Sequence, residues 1–85
     1  MRLLFTKNFV RDYRKLPGDM QKAVDKQLEL LLINSRHPSL AIKKMNDPRG
    51  IWEGLVTAGY RFTFQIGADI YILRKVGTHA VLKRP

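Results

Sequence analysis

Two side chains in the segment from Ile51 to Pro85 are suited to chemistry on phosphate groups. Arg61 lies within Tyr60–Ile66, where apolar and polar residues alternate with period two, as is typical of a strand with one buried and one open face. His79 follows in the tail predicted after the last strand. A guanidinium can donate two hydrogen bonds to one phosphate, and an imidazole can transfer protons near neutral pH. These residue types suit cleavage of a phosphodiester.

Metal-free scission of RNA sets three chemical tasks. A base must accept the proton of the attacking 2′-hydroxyl, cations must stabilise charge on the phosphoryl oxygens, and an acid must protonate the departing 5′-oxygen. Arg61 suits the second task and His79 suits one of the proton transfers. Other basic residues would hold the RNA backbone, and an aromatic ring would stack on a base. The predicted RNA-binding residues are Lys43, Lys44, Arg49, Trp52, Arg74, Lys83 and Arg84.

The pairing of the two strands around Ala58-Gly59 decides which residues accompany Arg61. A two-residue hairpin loop there would place Thr57 opposite Tyr60. Cross-strand partners share a face, so the face with Arg61 would contain Trp52, Gly54, Val56, Thr63 and Gln65. The opposite face, against the helices, would contain Glu53, Leu55, Tyr60, Phe62 and Phe64. A slip of the register by one residue would instead bring Glu53 beside Arg61.

The chain is strongly basic, with 16 lysines and arginines against 7 aspartates and glutamates, and a formal net charge of +9. This charge favours nucleic acid, an anionic membrane or an acidic protein as partner. Cysteine is absent, and His37 and His79 are not at metal-ligand spacing, so we expect neither a metal nor a small-molecule cofactor. No signal peptide and no apolar run of about 20 residues is found, which predicts a cytoplasmic protein that does not enter a membrane.

Periodicity predicts the element order β-α-α-β-β-β within a single domain over residues 1–85. Strands are expected over Arg2–Phe5, Ile51–Thr57, Tyr60–Ile66 and Ile70–Val76. Thr6 or Asn8 could cap a first helix, and Asp19 is expected to cap a second helix over Met20–Ile33. The segment 36–50 is expected to be a long connection, and Gly77-Thr78 a turn. The expected fold class is α+β, with two helices packed on a small, mostly antiparallel sheet.

Several short motifs along the chain resemble the RelE/ParE superfamily of bacterial toxin–antitoxin systems. They cover nearly the whole sequence: Phe5, Phe9, Tyr13 and Leu16-Pro17 at the start, His37-Pro38, Gly50–Glu53, Gly59–Phe64 and Val76–His79. The glycine-tyrosine-arginine strand and the valine-glycine pair before a late basic residue are the more specific parts. The Gly77-Thr78-His79 run is similar to the YafQ-like branch.

The resemblance implies a small toxin with a RelE-like sheet similar to that of microbial ribonucleases. RelE-type members cut messenger RNA in the ribosomal A site and leave a 2′,3′-cyclic phosphate and a 5′-hydroxyl. A cognate antitoxin, usually acidic in its toxin-binding part, neutralises them. The resemblance assigns Arg61 to the strand arginine that contacts the scissile phosphate, and His79 to a position where members have arginine or histidine. The implied partners are the antitoxin, the ribosome and mRNA.

This sequence also departs from the RelE pattern. RelE has strand lysines where this chain has Trp52 and Gly54, and many relatives end in an aromatic residue where this chain has Val81–Pro85. Trp52 could replace the missing aromatic, and Lys43, Lys44 or Arg49 could replace the lysines. Two alternative functions follow: a ParE-like toxin that inhibits DNA gyrase by protein contact, or a degenerate toxin that only binds its antitoxin.

Overall fold

The computed structural model describes residues 1–85 and contains two helices on one five-stranded sheet. The helices are α1 (Lys7–Arg14) and α2 (Gly18–Ile33). The strands are β1 (Arg2–Phe5), β2 (Lys43–Lys44), β3 (Ile51–Thr57), β4 (Tyr60–Ile66) and β5 (Ile70–Thr78). Their order in the sheet is β1-β5-β4-β3-β2, with β1 parallel to β5 and the other pairs antiparallel. The predicted α+β fold class is confirmed.

Two segments between or after the predicted elements are more regular than expected. The segment 36–50 contains a short 3₁₀ helix, Pro38–Leu40, and the strand β2, so Lys43 and Lys44 lie on an edge strand rather than in a loop. The predicted turn at Gly77-Thr78 is wrong, because both residues continue β5 and pair with Arg61 and Tyr60 of β4. The tail begins at His79 with a second 3₁₀ helix, His79–Leu82.

Helix α2 begins two residues earlier than expected, and Asp19 is not its cap. Pro17 occupies the capping position, and its carbonyl oxygen accepts the first helical hydrogen bonds, from the backbone N–H groups of Met20 and Gln21. Proline is compatible with this position because no helical hydrogen bond requires its missing N–H. Asp19 lies in the first turn, where its negative charge is favourable next to the helix dipole.

One face of the sheet packs against the helices and forms the hydrophobic core. Its buried side chains come from both helices, the segment 38–42 and the three central strands: Phe9, Val24, Leu28, Leu31, Leu40, Val56, Phe62, Phe64, Tyr71, Leu73 and Val76. Each large side chain contributes roughly 1.5–3 kcal/mol by leaving water. Gln27 is buried among them, and its Nε2 donates to the carbonyl oxygens of Leu55 (2.8 Å) and Ser39 (3.2 Å). This amide therefore joins α2 to β3.

The register between β3 and β4 differs from the predicted one by a single residue. Thr57 pairs with Tyr60 as expected, but an irregularity between Leu55 and Thr57 leaves Val56 without a partner, and Leu55 then pairs with Arg61. The irregularity lets Val56, Phe62 and Phe64 all reach the core, whereas the predicted pairing would place Val56 on the open face. The prediction that Trp52 and Gly54 share the face of Arg61 is therefore wrong, and the alternative of a slipped register is correct.

The cap of α1 is Thr6, so the structure selects Thr6 over Asn8, the other predicted alternative. Its Oγ1 accepts a hydrogen bond from the Phe9 N–H (3.2 Å) and donates to the Leu73 carbonyl oxygen (2.8 Å), which links α1 to β5. We expect Thr6→Ala to lower the free energy of unfolding by about 1 kcal/mol. Urea unfolding would measure this, with Thr6→Ser as the variant that keeps the hydroxyl. A larger loss from Asn8→Ala than from Thr6→Ala would contradict the assignment.

Candidate functional site

The sheet face opposite the helices is the open face, and Arg61 lies on it near the β3–β4 hairpin. Its Nη1 donates to three carbonyl oxygens of the hairpin, those of Thr57 (2.8 Å), Tyr60 (3.0 Å) and Ala58 (3.2 Å). These bonds hold the guanidinium in one orientation. Its Nε and Nη2 have no hydrogen-bond partner within the chain, so both remain available to an anionic ligand such as phosphate.

His79 lies at the same end of the sheet as Arg61. Gly77 is the β5 partner of Arg61, and His79 follows two residues later as the first residue of the tail helix. A Cβ atom on Gly77 would come 3.0 Å from Cγ1 of Val81, so the tail helix packs closely over the strand beside Arg61. The His79 side chain is exposed and has no hydrogen bond within the chain. Its imidazole is therefore accessible to a ligand that approaches this end of the sheet.

A second polar cluster covers the middle of the open face. Arg74 donates from Nη1 to Oε1 of Gln65 (3.0 Å) and from Nε to the carbonyl oxygen of Pro85 (3.1 Å). The fully buried Thr63 hydroxyl also donates to the Pro85 oxygen (3.2 Å), and Gln65 Nε2 donates to the Arg49 carbonyl oxygen (2.9 Å). The structure thus brings Arg49 and Arg74 together through Gln65. Lys83 and Arg84 are exposed on the tail that crosses this face.

The predicted RNA-binding residues of β2 and β3 are divided between the two faces of the sheet. Lys43 pairs with Glu53, and Glu53 pairs with Thr63, which places Lys43 on the open face. Lys44 pairs with Trp52 on the helix side, where its Nζ lies 6.0 Å from the centre of the Trp52 ring. Trp52 therefore cannot stack on a base bound at Arg61, contrary to the prediction.

Sequence reasoning missed Lys75 as a basic residue of the open face. It pairs with Thr63, while the irregularity between Thr63 and Phe64 lets the neighbouring Arg74 bond Gln65 on the same face. Simple alternation would place Lys75 and Arg74 on opposite faces, so no sequence pattern reveals this arrangement. The open face carries Lys43, Arg61, Arg74 and Lys75, and Glu53 is its acidic strand residue. No group of three or more histidine, aspartate or glutamate side chains is arranged to hold a metal ion.

Asp47, another residue that sequence reasoning missed, orients Arg49 at the start of β3. Arg49 donates from Nη2 to Oδ2 (2.8 Å), from Nε to Oδ1 (3.0 Å) and from its backbone N–H to Oδ1 (2.8 Å). The side-chain hydrogen bonds from Arg49 lower the pKa of Asp47 to about 2, and the same bonds raise the pKa of Arg49. The spacing Asp47-Pro48-Arg49 is the sequence signal, because a side chain before a turn can bond the backbone two residues later.

The lowered pKa of Asp47 predicts a defined pH dependence for this ion pair. Because the folded state favours the carboxylate, the pair stabilises the protein fully above the ordinary pKa of 3.8 and loses this effect as the pH falls through about 2. In a ¹³C NMR titration the Asp47 carboxyl group should titrate near pH 2 in the wild type. Arg49→Gln should raise its midpoint towards the ordinary value, and Arg14→Gln should not. An unchanged midpoint in Arg49→Gln would contradict this cause.

Solved structures that share this architecture include toxins of toxin–antitoxin systems. YafQ from E. coli strain BL21(DE3) matches with a TM-score of 0.79 and 13% identity over 94% of both chains. The RelB-RelE antitoxin-toxin complex from Methanococcus jannaschii matches with a TM-score of 0.75 and 23% identity, again over 94% of both chains. A YoeB/ParE toxin from Agrobacterium tumefaciens matches with a TM-score of 0.75 and 15% identity over 93% of this chain and 99% of that one.

These likenesses confirm the RelE/YafQ-like toxin fold that the sequence motifs indicate. Protein-family models and curated proteins gave no match. No helix of the protein is both long and apolar enough to span a membrane.

Proposed function

We propose that this protein is the toxin of a type II toxin–antitoxin system and that it cleaves messenger RNA on the ribosome. The observation that carries the proposal is the hydrogen bonding of the Arg61 guanidinium. Its Nη1 is held by the hairpin, while its Nε and Nη2 have no hydrogen-bond partner within the chain. Such a fork suits two oxygens of one phosphate group. The RelE/YafQ-like fold supports the same function.

The proposed chemistry needs no metal. The 2′-hydroxyl attacks the adjacent phosphorus, the P–O5′ bond breaks, and the products are a 2′,3′-cyclic phosphate and a 5′-hydroxyl. Arg61 stabilises the negative charge that develops on the phosphoryl oxygens. His79 transfers a proton at one of the two reacting oxygens. Lys43, Arg49, Arg74, Lys83 and Arg84 attract and hold the RNA backbone through its phosphates.

The proposed partner in the cell is an antitoxin that is acidic in its toxin-binding part. Solved structures with this fold include complexes with antitoxins, RelB in one case and DinJ in another. The net charge of +9 supports an acidic partner for this chain as well. The site of action would be the cytoplasm, where ribosomes and mRNA are available.

Mapping of RNA ends after expression of the protein alone tests this function. Induction should stop growth, and the new mRNA ends should carry 5′-hydroxyl groups at positions within translated codons. Cleavage of mRNA on purified ribosomes should persist when trace transition metals are removed. His79→Gln, which keeps a polar side chain but does not transfer protons, should slow it. Intact mRNA with normal growth would refute the proposal.

The composition of the open face supports two other candidate functions. Strand β3 contributes Glu53 and Leu55 to this face and no lysine, which is unfavourable for a phosphate-binding surface. A toxin that binds gyrase, or a degenerate toxin that binds only its antitoxin, would not need that lysine. Loss of supercoiling by purified gyrase in the presence of the protein, with mRNA intact, would indicate the first case. Normal growth together with tight antitoxin binding would indicate the second.

A further inference from the structure

A cavity of about 580 Å³ lies on the helix side of the sheet, opposite the face that carries Arg61. It is enclosed by the end of α2, the segment 36–42 and the adjacent ends of three strands. Its apolar walls come from Leu31, Ile42, Trp52, Phe64, Ile66 and Tyr71. This volume is large enough for one or two hydrophobic side chains, and the cavity is open to solvent on one side.

The apolar lining of this cavity reaches the protein surface at Ile66. Ile66, which lines the cavity, is 49% exposed although it ends a strand of the sheet. An exposed apolar side chain that lines an apolar cavity adds to the surface that a protein partner can bury.

The polar groups around the cavity are cationic or hydrogen-bond donors. Arg36 and His37 line it, and the Lys44 ammonium lies 6.0 Å from the centre of the Trp52 ring. His37 Nδ1 accepts the Ser39 backbone N–H (3.1 Å), so the neutral ring carries its proton on Nε2 and can donate from there. No aspartate or glutamate is among the lining residues. The charge of this site is therefore complementary to that of an acidic segment.

We infer that this cavity binds a hydrophobic side chain of an acidic, amphipathic segment of a partner protein. Its carboxylates would face Arg36 and Lys44. The inference rests on the proposed function in one respect, since the partner would then be the antitoxin. A protein segment is favoured over RNA because most of the lining is apolar and its exposed large apolar residue, Ile66, is aliphatic and offers no ring on which a base could stack.

Because of the position of the cavity, a partner segment could bind there without inhibiting RNA cleavage. It lies across the sheet from the open face, so a segment bound only here would not contact Arg61 or His79 directly. We expect a peptide that occupies the cavity alone to bind the protein without blocking RNA cleavage. An antitoxin would need a further segment to cover the open face.

Trp52, the only tryptophan in the chain, lines the cavity and reports its occupancy by fluorescence. Random short peptides displayed on phage would be selected against the full-length protein, and the enriched peptides synthesised and titrated. We expect enrichment of aspartate or glutamate combined with leucine, isoleucine or phenylalanine, and a saturable change in Trp52 emission. Enriched peptides that are basic, or that bind without changing this emission, would overturn the inference.

Two surface variants and one matched control complete the test. Arg36→Glu and Ile66→Glu should each weaken peptide binding about tenfold or more, the first through charge repulsion and the second through loss of apolar contact. Lys26→Glu on α2 changes the net charge by the same amount as Arg36→Glu and lies outside the cavity, so it should have a much smaller effect. If Arg36→Glu and Lys26→Glu weakened peptide binding equally, the peptide would be held by general charge attraction, and a specific site at the cavity would be refuted.

The test of peptide binding at the cavity can fail or succeed independently of the test of RNA cleavage. Arg61→Ala should leave peptide binding unchanged, and the inference stands on binding even where the protein cleaves no RNA. The Ile66→Glu variant also tests two other occupants, and either of the following results would refute the inference. A change in Trp52 emission produced by single-stranded RNA and lost in Ile66→Glu would assign the cavity to RNA. A dimer in sedimentation that dissociates in Ile66→Glu would assign it to a second copy of this chain.

Discussion

Arg61→Ala is expected to lower the rate of mRNA cleavage by about 100-fold or more and to abolish growth inhibition. Removal of a single preorganised donor to a developing negative charge typically costs catalysis a factor of this size. In this protein the loss removes both free donors of the guanidinium, Nε and Nη2. Cleavage of mRNA on purified ribosomes, measured as the initial rate of product formation, would quantify the change.

The same substitution also removes the three hydrogen bonds from Nη1 to the hairpin carbonyls. Its effect on folding must therefore be measured separately, by thermal unfolding and by Trp52 emission. Arg61→Lys keeps a positive charge but lacks the planar fork, so we expect a rate between those of the wild type and Arg61→Ala. Arg14→Ala, an exposed arginine on α1, is the matched control and should retain full activity. Equal rates for Arg61→Ala and Arg14→Ala would exclude Arg61 from the site.

Gly54→Ala is expected to destabilise the protein by about 3 kcal/mol, an unusually large effect for one added methyl group. A Cβ atom at Gly54 would come 2.5 Å from Cε1 and 2.9 Å from Cε2 of Phe62, and closer still to Cζ. Phe62 is fully buried and its ring packs beside that of Phe64, so it has no space to move away. Urea unfolding of the two proteins would measure the difference in the free energy of unfolding.

Gly59→Ala is the matched control for this overpacking. A Cβ atom at Gly59 would meet nothing within 4 Å, and no positive φ is present there, so we expect a change of less than about 0.5 kcal/mol. Phe62→Leu should partly relieve Gly54→Ala when the two are combined, since a smaller side chain leaves room for the new methyl group. If Gly54→Ala were as mild as Gly59→Ala, the register of β3 and β4 described above would be wrong.

The bounds of β3 and β4 and the end of α2 at Ile33 follow from local sequence signals, which also limited the cap of α1 to Thr6 or Asn8. Alternation in Tyr60–Ile66, a small two-residue turn and a threonine before a helical pattern each act within a few residues. The assignment of Arg61 and His79 to the site also rests on their residue types and neighbouring motifs, and it stays a prediction. Their placement at one end of the sheet comes from the structure, in which Arg61 pairs with Gly77, two residues before His79.

The residues that share a sheet face with Arg61 could not be derived from local signals. Leu55 and Val56 are adjacent and both apolar, so either could face the core, and the pattern of β3 permits two registers. Tertiary packing selected the one that buries Val56 with Phe62 and Phe64 and leaves Leu55 opposite Arg61. That choice moved Trp52 away from the open face and brought Glu53 onto it. The irregularity in β5 was likewise decided by packing. It leaves Arg74 without a partner in β4 and places both Arg74 and Lys75 on the open face.

The sequence by itself determined the α+β fold class, the order of all helices and strands except the short β2, the basic character of the chain and the strand that carries Arg61. These properties depend on composition and on periodicity within single elements. Only the tertiary structure decided which residues share a face with Arg61, that Asp47 orients Arg49, and that Trp52 lines a cavity on the other side of the sheet. The physical reason is that a shift of one residue in a strand pair reverses every side chain, and that shift is decided by packing across the whole core.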